Sequence, residues 1–378
     1  MNLKQFLDQN QGQKDFYLQD LIPFIAQLAL KIEQIPQIIF LQAYKKNQIT
    51  LNRLQVAVII ANMFFCTLIP QEKKYNLPNT YNLNTLYKST YQNNRKIQKI
   101  KCIFNYFSLI KKTQEKTLEN EKIEYIRLYN QNYINARSLI ENQQKLKKIY
   151  IQKNNKNIED IKNSIQIDFA NKYIGGGVLD TGLVQEEIRF VISPELLILR
   201  LFSFKIEDQE AILVSGIDTY SIYRGYSNTF ECLGENKNRK NDILVAIDAL
   251  NFSQSYDSGI QYRINVLLRE INKAFVGFQA PQVPLDVPIS TGRWGCGAFQ
   301  GDSQLKLVIQ WIACSLVGRE MYFFPYMDCL LLNIEEIIEK IKDFNIGELF
   351  KIVQQFCLQI GKNEKIKLFD YILNQLQK

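Results

Sequence analysis

The sequence contains no histidine among its 378 residues. This absence excludes Ser–His and Cys–His nucleophile pairs, histidine general bases and metal sites with imidazole ligands. Acid–base chemistry near neutral pH must therefore come from carboxylates, tyrosine, cysteine or lysine.

Zinc-ligand spacings and long apolar runs are also missing. The seven cysteines form no C-x-x-C pair, which predicts buried free thiols in a reducing compartment. Residues 1–14 are polar and lack the apolar run of a secretory signal. The longest apolar stretch, residues 56–70, contains Asn62 and is too short to span a bilayer of about 30 Å. We therefore expect a soluble, intracellular protein.

Charge and glycine divide the chain into two parts. Residues 1–150 carry 22 Lys+Arg against 10 Asp+Glu, a net charge of +12, whereas residues 151–378 carry 24 against 28, a net charge of −4. Glycine is nearly absent before Gly175, where Gly12 is the single example. A hydrophobic content of 46% is enough for a sizeable core. This division predicts two domains, residues 1–150 and 151–378.

The apolar spacing predicts helices in the first part and an α/β pattern in the second. Residues 17–31 and 53–67 have apolar residues at three- and four-residue spacing, and residues 95–107 form an amphipathic segment with a basic face. The second part alternates short apolar strands with helical segments: strands at 166–169, 210–214, 243–249 and 321–326, and helices at 184–192, 193–201, 261–278 and 303–317. Glycine loops at the junctions are typical of a wound sheet that binds a ligand at its strand ends. A helix break is expected at 345–347.

A glycine triplet is followed closely by two glutamates. Gly175, Gly176 and Gly177 can turn backbone N–H groups toward an anion, although a plain tight turn is the commoner interpretation of a triplet alone. Glu186 and Glu187 are adjacent on a predicted helix. For such a pair, the usual interpretation is two solvated charges on the helix surface. Neighbouring helical residues point roughly 100° apart, so the two cannot flank one bond, and one must act while the other orients.

The stretch around these residues resembles the signature of the poly(ADP-ribose) glycohydrolases. Residues 167–197 read IDFANKYIGGGVLDTGLVQEEIRFVISPELL, and further blocks follow in the family's order. These blocks are Gly225-Tyr226, ILVAIDAL at 243–250 and TGRWGCGAFQGD at 291–302, with 51–67 and 96–107 resembling the helical accessory region of the eukaryotic enzymes. The resemblance covers roughly residues 30–370. It implies an α/β fold: a macrodomain-like mixed sheet flanked by helices (151–378), preceded by an N-terminal all-helical accessory region (1–150).

The resemblance implies hydrolysis of the ribose–ribose O-glycosidic bond of poly(ADP-ribose), with release of ADP-ribose and without a metal or cofactor. It assigns Glu187 as the general acid that then activates water, and Glu186 as the residue that holds the ribose hydroxyls. Asp168 and Asn171 would border the scissile ribose and support the glutamates. An N-cap or turn role remains open for both.

The resemblance also implies the substrate-binding residues. The triplet and Gln185 belong to the same block, although Gln185 has a structural alternative. The glycine-rich loop before residue 303 would wrap the diphosphate at a helix N-terminus. Its contributors are Gly295, Gly297 and Ala298, with Phe299 covering the distal ribose. Cys296 in this loop is expected to pack, because no histidine exists to activate its thiol. Arg293 stands where relatives have Asn, and either an ion pair with the diphosphate or a solvated charge would fit.

Aromatic residues and one acidic segment complete the implied site. Tyr226 would reach over the substrate. Tyr326 stands where relatives have a phenylalanine against the adenine, with Phe324 as the alternative. Ile158 and Glu159 resemble the segment that reads the adenine edge. Core packing remains the alternative for each aromatic ring.

Two other function classes compete with the glycosidase. A non-catalytic macrodomain would bind ADP-ribose or its polymer and would not need Glu186 and Glu187. A nucleic-acid-binding protein would explain the charge of residues 1–150, but no motif that reads DNA or RNA accompanies the scattered basic residues. We expect poly(ADP-ribose) on modified proteins as the partner and ADP-ribose as the product, a monomer, and neither membrane nor sequence-specific nucleic-acid binding. The resemblance also implies a nuclear or cytoplasmic location and a link to the DNA damage response.

Overall fold

The computed structural model describes residues 2–69, 81–88, 94–152, 156–238, 241–257, 259–360 and 366–377. The chain divides into two compact units, each built from segments that are separated in sequence. Unit 1 comprises Met1–Arg127, Ala170–Ile206 and Leu213–Ile243, and unit 2 comprises Leu128–Phe169, Glu207–Ile212 and Leu244–Lys378.

The strands form a mixed sheet and a separate hairpin. Their bounds are β1 Asn47–Asn52, β2 Lys122–Tyr129, β3 Ile149–Ile151, β4 Ile165–Ala170, β5 Glu210–Ile217, β6 Ser221–Arg224, β7 Glu231–Glu235, β8 Asp242–Asp248, β9 Ile289–Gly292 and β10 Met321–Phe324. Among the described residues, eight strands lie in the order β1-β2-β5-β8-β4-β9-β10-β3, and β6 pairs with β7. Strands β4, β9, β10 and β3 pair in parallel, whereas β1 pairs with β2 antiparallel. The predicted mixed α/β sheet is confirmed, with β4, β5, β8 and β10 at the predicted positions.

Helices surround these strands. Their bounds are α1 Asn2–Gln9, α2 Lys14–Phe16, α3 Ile22–Ala29, α4 Arg53–Phe65, α5 Asn84–Tyr87, α6 Asn94–Lys112, α7 Glu115–Asn120, α8 Ala136–Ile140, α9 Gln185–Ile192, α10 Leu199–Phe202, α11 Ile264–Gln279, α12 Ser303–Val317, α13 Ile334–Ile341, α14 Ile346–Ile360 and α15 Leu368–Leu376. The break in the C-terminal helices lies between α13 and α14, at residues 342–345, and overlaps the predicted 345–347 only at Asn345. No helix in the described part of the chain has both the length and the apolar character needed to cross a membrane.

Helix α4 is largely buried within unit 1. The Asn52 side chain accepts a hydrogen bond from the Gln55 amide (2.8 Å), and the Gln55 side chain accepts one from the Asn52 amide (2.9 Å), which is a capping box. The next residue, Arg53, is 2% exposed and forms ion pairs with Glu195 and with Asp218 (3.2 Å to Oδ2). These buried pairs fix α4 to the segment that follows α9, through Glu195, and to the end of β5, through Asp218.

Unit 2 places a glycine-rich loop between a strand and a helix. The loop, residues 293–302, runs from the end of β9 to the start of α12. Trp294 is fully buried beneath it and donates from its indole nitrogen to the Ile247 carbonyl (3.0 Å). The loop is therefore anchored at its first residues, while the exposed Gly297 and Ala298 lie at its tip.

Candidate active site

The chain turns sharply after β4 and reaches the glycine triplet. The Asn171 side chain accepts a hydrogen bond from the Tyr173 amide (2.9 Å), an Asx turn that reverses the chain. Gly175 and Gly176 then adopt φ angles of +84° and +42°, a left-handed region that favours glycine. A residue with a Cβ would be strained at either position, so the two glycines allow the chain to turn here.

Glu186 is buried against this turn. Its side chain is 3% exposed, and its two oxygens accept hydrogen bonds from the Gly175 amide (2.6 Å, Oε1) and the Asn171 amide (3.0 Å, Oε2). A buried carboxylate with both oxygens bonded has one orientation, so Glu186 is a fixed group.

Glu187 is held in the same manner by different amides. It is 6% exposed, and its oxygens accept from the Gly177 amide (2.9 Å, Oε1) and the Val184 amide (2.8 Å, Oε2). The bond to Val184 is that of a third helical residue reaching back to the N-cap position. A carboxylate oxygen has two lone pairs, so each oxygen keeps one for a further partner. The pair is thus not a set of solvated helix charges.

Close packing explains why glycine is required here. A Cβ on Gly176 would lie 2.7 Å from both Glu186 Oε2 and Glu187 Oε1. A Cβ on Gly182 would lie 2.8 Å from Glu187 Oε1 and 2.9 Å from the Gly177 Cα. Sequence reasoning missed Gly182; the signal was a fourth glycine within GGGVLDTG.

Two buried cations that the sequence analysis missed hold the carbonyl side of the loop. Arg200 of α10 is 5% exposed and donates to the carbonyls of Ile174 and Gly176. Lys99 of α6 is fully buried and donates to several carbonyls between 177 and 182, among them Val178 and Asp180 at 2.8 Å. Burial lowers the pKa of Lys99 to about 7 and that of Arg200 to about 10, against the opposing effect of the nearby carboxylates. A lone basic residue within an apolar run (LLILRLF) was the available signal for Arg200.

Tyr226 lies on a loop that is hydrogen-bonded to the segment between the glycine triplet and α9. The residue follows β6 and is 52% exposed. The amide of the next residue, Ser227, donates to the Leu183 carbonyl (3.0 Å). Unit 1 thus brings together seven of the predicted site residues, and the loop that carries Tyr226 is connected to them. The seven residues are Asn171, Gly175, Gly176, Gly177, Gln185, Glu186 and Glu187.

The other predicted residues belong to unit 2. Asp168 is fully buried within β4. In the loop of residues 293–302, the Gly301 amide donates to the Gly295 carbonyl (2.9 Å), which closes the loop. Within the described residues, the amides of Gly297, Ala298 and Phe299 have no acceptor, so this tip can offer N–H groups to an anion.

The start of α12 is occupied by a protein carboxylate. The Asp302 side chain caps the helix by accepting from the Leu305 amide (2.8 Å). The neighbouring Cys296 thiol has its pKa raised to about 12 by burial, as expected for a packing role. Arg293 is an ion-pair partner of Asp328 (2.7 Å), and its charge is already compensated.

The residues predicted to contact adenine lie in a short 3-10 turn, Ile158–Asp160, and at or just after the end of β10. Ile158 is 2% exposed and its carbonyl accepts from the Ser290 hydroxyl (2.8 Å), while Glu159 is half-buried. Phe324 is buried, whereas Tyr326 is 38% exposed and stacks on it with ring centroids 5.8 Å apart. Of these two rings, Tyr326 is the one that a ligand can reach. No cluster of cysteine and carboxylate side chains suited to a metal ion occurs among the residues described.

Two family models match the chain. One, described as poly(ADP-ribose) glycohydrolase, macro domain fold, matches residues 136–333. The other, described as the helical domain of poly(ADP-ribose) glycohydrolase, matches residues 9–127. Together they include all of the predicted site residues.

Individual proteins show the same similarity. The chain is 31% identical to poly(ADP-ribose) glycohydrolase 2 of Caenorhabditis elegans over 90% of its own length and 71% of that protein. It is 37% identical to poly(ADP-ribose) glycohydrolase 1 of Caenorhabditis elegans over 58% of its length and 30% of that protein. It is 29% identical to poly(ADP-ribose) glycohydrolase 1 of Arabidopsis thaliana over 57% of its length and 53% of that protein.

Proposed function

Because the chain belongs to the poly(ADP-ribose) glycohydrolase family and is therefore a glycosidase, we propose that Glu187 is the acid and base of its reaction. The substrate of this family is poly(ADP-ribose), and the bond that breaks joins two riboses. The observation that carries the proposal is the pair of backbone amides that hold both oxygens of Glu187.

Glu187 moves one proton in each direction. The protonated carboxyl donates to the leaving ribose oxygen as the glycosidic bond breaks, and the carboxylate that forms stabilises the oxocarbenium character at the anomeric carbon. A water molecule then attacks that carbon and gives its proton to the carboxylate. The cycle restores the starting protonation state, so this chain needs no histidine.

The other residues of the motif bind and orient. Glu186 is held one helical residue earlier and is suited to accept hydrogen bonds from ribose hydroxyls. Asp168, Asn171, Gln185 and the three glycines would support that ribose, and the exposed ring of Tyr226 would cover the substrate.

For unit 2 we propose that the amides of Gly297, Ala298 and Phe299 bind the diphosphate. The accessible face of the Tyr326 ring would stack on adenine, and the segment with Ile158 and Glu159 would contact the adenine edge. We further propose that the protein acts as a monomer on polymer attached to modified proteins in the nucleus or cytoplasm.

The test is release of ADP-ribose from automodified polymer by the wild type and by Glu187→Gln. The amide keeps the shape of the side chain but cannot donate and recover a proton, so we expect a rate loss of roughly 10²–10⁴-fold. Affinity for ADP-ribose, measured by calorimetry, should change only several-fold. Glu231→Gln, an exposed partner of Arg224 in β7, is the matched control and should keep the wild-type rate.

The same experiment also tests the identity of the acid. Activity retained in Glu187→Gln would leave the enzyme class intact but assign the acid to another group.

A further inference from the structure

The guanidinium of Arg200 lies buried against the carbonyl side of the glycine triplet. Its Nη1 atom donates to the Ile174 carbonyl and the Gly176 carbonyl, both at 3.1 Å. One nitrogen with two hydrogens therefore serves two carbonyls that are two residues apart. The packing is tight, because a Cβ on Gly175 would lie 3.0 Å from the same nitrogen.

Each of these carbonyls belongs to a peptide group whose N–H holds a glutamate. The Ile174 carbonyl shares a peptide plane with the Gly175 amide, which donates to Glu186 Oε1 (2.6 Å). The Gly176 carbonyl shares a plane with the Gly177 amide, which donates to Glu187 Oε1 (2.9 Å). Since a peptide bond is planar and trans, fixing the carbonyl direction also fixes the direction of the N–H on the opposite side.

We propose that Arg200 is a positioning residue that orients Glu186 and Glu187 through these two peptide groups. Each peptide lies between a cation at its oxygen and an anion beyond its hydrogen, so its dipole is aligned by both ends. The inference rests on the proposed role of Glu187. Two of the Arg200 hydrogen bonds go to the loop backbone, and its charge also interacts with those of Glu186 and Glu187.

The geometry of the loop explains why an arginine stands here. Gly175 and Gly176 both have left-handed backbone conformations, and glycine has the largest conformational freedom to lose. A loop of this kind needs an external constraint to hold one conformation. A lysine would retain the charge but would present a tetrahedral ammonium in place of a planar guanidinium.

The test compares Arg200→Met and Arg200→Lys with Arg189→Met. Arg189 is an equally buried guanidinium of the same unit, but its hydrogen bonds go to Ser193, Thr219 and Asp242. We expect Arg200→Met to lower the single-turnover rate roughly 10–100-fold, because a displacement of about 1 Å at a reacting group can have that effect. Arg200→Lys should lose less than Arg200→Met.

Rates are expressed per ADP-ribose binding site, titrated by calorimetry, so that a loss of folded protein does not count as a loss of rate. Arg189→Met is expected to unfold more easily but to react at the wild-type rate per site. The ADP-ribose Kd of the Arg200 variants should stay within about threefold of wild type, less than 1 kcal/mol.

A wild-type rate per site in Arg200→Met overturns the inference, as does a rate loss in Arg189→Met equal to that in Arg200→Met. If Arg200→Met does not fold, a wild-type rate in Arg200→Lys overturns it. The Glu187→Gln variant separates a failure of this inference from a failure of the proposed function. If Glu187→Gln is active, Glu187 is not the acid and the premise of the inference is lost. If it is inactive, a wild-type rate in the Arg200 variants contradicts only the role of Arg200.

Discussion

At the scale of single residues, the two glutamates depend on glycines that leave them room. A Cβ added at position 176 would lie 2.7 Å from one oxygen of each carboxylate, and the φ of +42° at this position is strained for any residue with a side chain. A side chain at position 176 would clash with both carboxylates and would strain the backbone. The triplet is therefore needed for the packing of the carboxylates as well as for the turn.

Gly176→Ala should therefore lose activity by displacing both glutamates. We expect a fall in the rate of ADP-ribose release of roughly 100-fold or more, since a displacement of about 1 Å is sufficient for that. Gly12→Ala is the matched control, because a Cβ there meets nothing within 4 Å. Initial rates of the two variants at equal concentrations of folded protein decide the matter, and a Gly176→Ala enzyme as active as Gly12→Ala would show that the loop can yield.

Pattern and chemistry found the residues of the site that are adjacent in sequence. The triplet and the glutamate pair lie within 13 residues, and the resemblance of this continuous stretch to the glycohydrolase signature identified them as site residues. Arg200 and Lys99 were missed because their contacts depend on tertiary structure. Lys99 is separated from its acceptors by about 80 residues, and its position in a basic amphipathic helix favoured a solvated interpretation.

At the scale of secondary-structure elements, helix α6 places the buried Lys99 against the carbonyls of residues 177–182. Burial lowers the pKa of Lys99 to about 7, whereas a lysine in an unfolded chain titrates near ~10.4. Between these values the unfolded state binds a proton that the folded state lacks. This group therefore makes the free energy of unfolding rise with pH from about 7 to 10, by at most ~1.4 kcal/mol per pH unit.

Lys99→Met should remove this dependence. The measurement is the free energy of unfolding from urea titrations at pH 7.5 and 9.5, values chosen to lie roughly within the titration window. The wild-type protein should gain more stability over this interval than Lys99→Met. Lys116→Met, an exposed position on α7, should keep the wild-type increment. Equal increments in wild type and Lys99→Met would show that the ammonium stays charged across this range.

Several long elements of the fold were predictable, but strands β1 and β2, which lie in the part predicted to be all-helical, were not. Helices α6, α11 and α12 and strands β4, β5 and β8 have clear apolar periodicity and lie where it placed them. Strand β1 (NQITLN) has only two buried apolar residues and was missed, because its pairing with β2 supplies the stability that its own composition lacks.

At the scale of the whole molecule, unit 1 cannot be assembled from a contiguous stretch of chain. It joins Met1–Arg127 to Ala170–Ile206 and Leu213–Ile243, and Arg53 forms buried ion pairs with Glu195 and Asp218 across this sequence gap. Removing one partner of a buried pair typically costs about 3–5 kcal/mol, a large part of a total stability of about 5–15 kcal/mol.

A fragment of residues 131–378 should therefore be insoluble or unfolded when expressed alone. Co-expression with residues 1–130 should restore a soluble complex, because the missing helices then return as a second chain. Gel filtration and circular dichroism of both preparations give the answer. A soluble fragment 131–378 with full hydrolase activity would mean that the N-terminal region regulates the enzyme without completing its core.

The central claim is that Glu187 protonates the leaving oxygen, and the dependence on the leaving group tests it most directly. Single-turnover cleavage is measured for wild type and Glu187→Gln with automodified polymer and with an ADP-ribose conjugate of nitrophenolate, a leaving group that departs without protonation. We predict a loss of roughly 10²–10⁴-fold for the polymer and a much smaller loss for the nitrophenyl conjugate. Equal losses for the two substrates would contradict the assignment of Glu187 as the general acid.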